Sequence, residues 1–359
     1  MNENRGQWGN NNRTLSTGSP RPWESGSHNF GGLPPSSPPS PLGKGPLRRL
    51  LRQNSNCVCL ALTLVFLASP IFIFVMQQLY LLFPGFALFI FDLSPVGLGF
   101  INMSMFALAL FLPALLIMHF LNMPLRVAFP MRRVPAGLTV SGVFCTLGMS
   151  VVGVYIAAIL TATIAATTGT TPSMPDFSPP AYGVGATIVF LVSLSVFPAV
   201  FEELLFRGAI MQSLRRFGDP FALAVSSILF AMLHRNFIQG PNALLAGLVL
   251  GYFTLRTGSL IPAMVAHFVN NFLSGSLSVI MVHLPERHAQ ILNFSIIPTY
   301  LALGALGFII MSMYSGGFIP LRQSLTGLSE RHKYLLFFTS PLALVFIAAT
   351  IWETRQFVG

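Results

Sequence analysis

Charge is what this chain has least of. Only 8% of its 359 residues are charged, with 10 acids against 20 lysines and arginines. Soluble globular domains carry about 25% charged residues, so a soluble enzyme is excluded as a class. Cysteine is also scarce. Cys57, Cys59 and Cys145 are an odd number and form no Cys-x-x-Cys pair, which removes a disulfide framework and a thioredoxin-type centre. Cys57 and Cys59 open the first apolar run and read as apolar filler. No cleavable signal peptide is expected, because that run begins only near residue 57.

What the chain has instead is long apolar runs. Hydrophobic residues make up 53% of it. Nine apolar segments are expected, at about 57–83, 97–121, 136–166, 182–214, 220–234, 241–256, 259–282, 294–314 and 335–352. Several reach the ~20 residues that span a bilayer. The fold class is therefore all-α, a polytopic transmembrane helix bundle of about eight or nine spans, since the fifth and sixth segments are short. The fourth segment is too long for a simple crossing. Its helix would reach about 50 Å against a ~30 Å core, so it should project or bend at Pro198 or Gly208.

Residues 1–52 read as a disordered, basic cytoplasmic tail rich in Asn, Gly, Ser and Pro, ending in a collar of Lys44, Arg48, Arg49 and Arg52. N-terminal transmembrane helices follow over 53–180, a catalytic core over 181–282 and C-terminal helices over 283–359. Basic residues fall mostly in one set of loops, at Arg126, Arg132, Arg133, Arg215, Arg216, Arg256, Arg322, Arg331 and Lys333. The bias places the N-terminus in the cytoplasm and the C-terminus outside. The positives flank membrane segments, so anionic lipid at the collar is the expected partner, and nucleic acid is not. An integral, multi-pass protein of the plasma (inner) membrane is expected.

Three apolar segments carry polar groups that a lipid-facing helix would not tolerate: Glu202-Glu203-x-x-x-Arg207, Phe230-x-x-x-His234, and His267-x-x-Asn270-Asn271. Ionisable groups at membrane depth mark functional sites by default. Glu203 and Arg207 are i and i+4 in the favoured order, and read first as a structural pair. Glu202 points about 100° away and has no partner on its own helix. It must find one on another helix. His267 and Asn271 share one face. Either histidine alone could be a packing residue and Asn271 alone helix–helix glue; their combination with Glu202 points to chemistry.

A buried carboxylate is a good general base for water, and a neighbouring imidazole can share that water. A second His with an Asn can donate to a developing oxyanion. That is peptide hydrolysis without a serine or cysteine nucleophile. A zinc variant stays open, with Glu202, His234 and His267 as ligands; no cofactor is otherwise implied. Other intramembrane proteases are disfavoured. No His-Glu-x-x-His occurs, no Gly-x-Ser-Gly precedes a suitable histidine, and Asp219 has no second membrane aspartate.

In their order on successive segments, these three motifs resemble the CAAX-protease and bacteriocin-processing (CPBP, or Abi) family of intramembrane endopeptidases. The type II prenyl-protein endopeptidases belong to that family. The likeness covers roughly 182–280. It implies Glu202 and His234 activating water, His267 and Asn271 as the oxyanion site, and Glu203, Arg207 and Phe230 shaping the site. It implies a metalloprotease or a metal-free glutamate mechanism, and a peptide or protein substrate at the membrane. Alternatives of other classes are a non-catalytic scaffold or bacteriocin self-immunity protein, and a proton-coupled transporter.

Overall fold

The computed structural model describes residues 43–83, 85, 95–175, 183–315, 321 and 327–358. Among them there is no strand. Ten helices carry the fold: α1 (Lys44–Leu82), α2 (Pro95–Phe120), α3 (Ala136–Thr168), α4 (Val184–Glu203), α5 (Asp219–Leu233), α6 (Gly240–Thr257), α7 (Ile261–His283), α8 (Glu286–Ser315), α9 (Glu330–Phe338) and α10 (Pro341–Arg355). Six described helices are long and apolar enough to cross a membrane, or seven if the bent pair α9–α10 is one span. The protein is an integral membrane bundle, as expected, but the count of eight or nine is not reached. The shortfall lies in α5 and α6, with 15 and 18 residues, which fail the test of length and apolarity.

The expected tail lies outside the described residues as far as position 42, but its last part is corrected by the structure. Residues 44–52 are helical. The collar's charges hid a helical stripe: Leu47, Leu51, Asn54, Ser55, Val58 and Leu62 are all buried on one face of α1, while Arg48, Arg49 and Arg52 stay exposed. That face packs on α2, α9 and α10. Its polar members serve helix ends. Ser55 Oγ donates to the Phe337 carbonyl at 2.7 Å, and the Leu342 N–H donates to Asn56 Oδ1 at 3.1 Å. These bonds sit at the 70° break between α9 and α10, where the expected single segment 335–352 is interrupted. Pro341 explains the break, because the residue before a proline is pushed out of helical geometry.

Helix pairing runs largely antiparallel. Gly247 and Gly251 of α6 meet Ser227 and Leu223 of α5, and Gly142 and Gly153 of α3 meet Phe253 and Asn242 of α6. The crossing of α3 with α8 is close on both sides. A Cβ on Gly148 would lie 2.7 Å from the Gly304 Cα, and Ser141 Oγ donates to the Gly307 carbonyl at 2.8 Å. Small residues of this kind let backbones approach where lipid supplies no hydrophobic drive. Gly148→Leu is therefore expected to destabilise by at least about 1–3 kcal/mol. The check is the unfolding midpoint in detergent; an unchanged midpoint would show that the seam does not bear on stability.

One end of the bundle gathers the basic loops. The Leu260 N–H donates to the Pro130 carbonyl at 2.8 Å, joining the loop before α3 to the start of α7. Lys333 is fully buried and donates to the Phe217 carbonyl at 2.7 Å and to Glu330 Oε1 at 2.6 Å. Asn54 Nδ2 of α1 reaches the Ser213 carbonyl at 3.0 Å. At the other end the Ser173 N–H donates to the Phe357 carbonyl at 2.8 Å.

Candidate active site

Glu202 and Glu203 are the last two residues of α4, and both are buried. Beyond them the helix does not stop. Leu204–Ile210 is π-helical, Met211–Leu214 is α, and Arg215–Phe217 is a 3-10 turn, so Val184–Phe217 is one rod of 34 residues. The sequence pointed to Pro198 or Gly208 as the place of adjustment, and the π stretch contains Gly208. Such bulges loosen the backbone ladder and gather at functional sites. Here side chains take up the slack: Ser226 Oγ donates to the Phe206 carbonyl (2.8 Å) and Gln212 Nε2 to the Arg207 carbonyl (3.1 Å). A larger residue than Gly208 would not fit, since a Cβ there would sit 2.9 Å from the Ala128 carbonyl oxygen.

Glu203 is the anchor of the site. Its Oε1 accepts from Arg207 Nη1 at 2.8 Å, as the i, i+4 spacing predicts, and also from His267 Nδ1 at 2.8 Å. The second bond was not legible from one helix's periodicity, because it joins α4 to α7. A carboxylate beside an arginine only accepts, so His267 Nδ1 carries the hydrogen. Nε2 is then the nitrogen free for proton exchange. It lies 3.7 Å from Glu202 Oε2. That gap is too long for a direct hydrogen bond and suits one water donating to both.

Phe230 is the hub of the polar groups. Its buried ring lies 4.9 Å from the His234 ring and 6.0 Å from that of His267, and the Arg207 guanidinium sits 4.4 Å above it. A guanidinium over an aromatic face is held by the ring quadrupole as well as by Glu203. His234 follows directly on α5. Its Nδ1 donates to the Phe230 carbonyl at 2.9 Å, which again leaves Nε2 free. Asn236 fixes the turn carrying His234, donating to the His234 carbonyl at 2.7 Å and accepting from the Gln239 N–H at 2.8 Å. The neighbouring Arg235 adopts φ 56° and pairs with Glu353 Oε2 of α10 at 3.1 Å.

Asn271 is placed differently from the rest. Its Nδ2 donates to the Leu194 carbonyl of α4 at 3.2 Å, and its Oδ1 accepts from Asn270. Among the described residues, no three or more His, Cys, Asp or Glu are gathered to hold a metal ion. Glu202, His234 and His267, the set left open for zinc, do not form such a group. Two buried polar atoms, Glu203 Oε2 and Arg207 Nη2, have no hydrogen-bond partner in the protein, so the site retains unused acceptor and donor capacity beside Glu202.

The chain matches none of the curated proteins and none of the solved structures with which it was compared. Every predicted site residue, Glu202 through Asn271, falls within one stretch that a family model recognises. Residues 184–273 match the family described as Type II CAAX prenyl endopeptidase Rce1-like.

Proposed function

We propose that the protein is a CAAX-type intramembrane endopeptidase in which Glu202 is the general base. The observation that carries this reading is the pair of acceptors, Glu202 Oε2 and His267 Nε2, 3.7 Å apart inside the helix bundle. A water between them donates one hydrogen to each and presents its lone pair to a peptide carbonyl. Glu202 takes a proton as the oxygen attacks carbon. The tetrahedral oxyanion then needs a donor, and Arg207 Nη2 is a buried one with no other partner. On collapse the C–N bond breaks. Glu202 returns its proton to the leaving amine nitrogen, which gives a carboxylic acid and an amine, and the acid's remaining proton passes to the amine as the two separate. His234 Nε2, beside Phe230, is a second proton-exchanging group. Glu203 holds His267 in the tautomer this requires.

In the same reading the N-terminus is cytoplasmic, the membrane is the plasma (inner) membrane, and the exposed Arg48, Arg49 and Arg52 of α1 meet anionic lipid. The substrate is a membrane-associated peptide or protein. The test incubates purified protein with prenylated and unprenylated CAAX peptides, with and without exhaustive chelation. Cleavage that survives chelation is expected. Failure to cut either peptide would remove the proposal, and loss of activity together with a stoichiometric metal would replace the glutamate route by a metal one.

A further inference from the structure

Pro198 lies inside α4, one turn before Glu202. Proline has no backbone N–H, so the carbonyl four residues earlier, that of Leu194, loses its helical donor. Within a bilayer no water replaces it. Asn271 of α7 does, through Nδ2 at 3.2 Å. The amide is set by a chain of donors across three helices. Ser150 Oγ of α3 donates to Asn270 Oδ1 (2.7 Å), Asn270 Nδ2 donates to Asn271 Oδ1 (3.2 Å), and Asn271 Nδ2 donates onward to Leu194. Turning Asn271 over would set donor against donor at Asn270, and turning Asn270 over would set acceptor against acceptor at Asn271. α4 and α7 also approach closely here: a Cβ on Gly275, one turn beyond Asn271, would lie 2.9 Å from Leu194 Cδ2. One turn the other way, His267 is bonded to Glu203. The turn bearing Glu202 is thus held from α7 both before and after.

We infer that Asn271 is a positioning residue for Glu202, acting through the Leu194 carbonyl that Pro198 leaves free. The kinetic part of the test rests on the peptidase reading; the stability part does not. Peptide cleavage and the unfolding midpoint in detergent are measured for Asn271→Leu, Pro198→Ala and the double variant. Pro198→Ala returns an N–H to the Leu194 carbonyl and makes the amide redundant. In the wild-type background Asn271→Leu should lower kcat roughly 10- to 100-fold with KM within about twofold. In the Pro198→Ala background the further loss should be below about threefold, and the midpoint should fall with the same asymmetry.

Equal losses in both backgrounds, or no loss in the first, overturn the inference; equal kinetic losses with unchanged midpoints put the amide on the substrate oxyanion instead. If Asn271→Leu alone does not insert, the double variant decides: recovery supports the inference and continued failure overturns it. If the wild type cuts no peptide, the peptidase reading falls, and the midpoints alone decide whether Asn271 and Pro198 are coupled.

Discussion

Glu202→Gln is expected to lower kcat/KM by about 10³- to 10⁴-fold, at the upper range for loss of a positioned general base. Glutamine keeps the shape of the side chain and can still hold a water against His267 Nε2. It cannot take the proton. The stability of this variant should be unchanged or higher. Glu202 is buried with its nearest cationic-capable atom at 3.7 Å, and a poorly paired buried carboxylate is costly to a fold. The measurement is single-turnover cleavage beside an unfolding curve in detergent. Turnover within threefold of wild type would reject Glu202 as the base. A collapse in stability would show it to be a structural residue.

Arg207→Leu should lose stability as well as activity. Arg207 is 1% exposed and Glu203 is 0% exposed, and the guanidinium of their 2.8 Å pair lies over the Phe230 ring. Removing one partner of such a pair leaves an uncompensated buried charge and costs about 3–5 kcal/mol. Activity is lost with it, because Glu203 also orients His267. The double variant Glu203→Leu/Arg207→Leu separates the two effects. Removing both charges together should recover most of the stability, since apolar replacements of buried pairs are often neutral or better. It should not recover cleavage, as His267 Nδ1 then has no acceptor. A double variant no more stable than Arg207→Leu would mean that the charge pair is not what holds the turn.

These neighbouring carboxylates show how far periodicity reaches. Spacing on one helix found the Glu203–Arg207 pair and left Glu202 looking for a partner elsewhere, and the structure places His267 there. Helix bounds were legible where apolar runs were long: 136–166 and 259–282 correspond to Ala136–Thr168 and Ile261–His283. Three features were not legible. The start of α1 is masked by arginines interleaved with its buried leucines. The π stretch has no sequence pattern of its own. The role of Asn271 depends on a carbonyl seventy-seven positions away in the chain; the proline that frees it was in view, but the helix that faces it was not.

The stretch that the family model recognises cannot be excised as an autonomous unit. Its far end is tethered by Lys333 at the Phe217 carbonyl and by Asn54 at Ser213, and the turn after His234 leans on Glu353. All three tethers come from sequence outside residues 184–273. The flanking helices therefore act as a splint around the site residues.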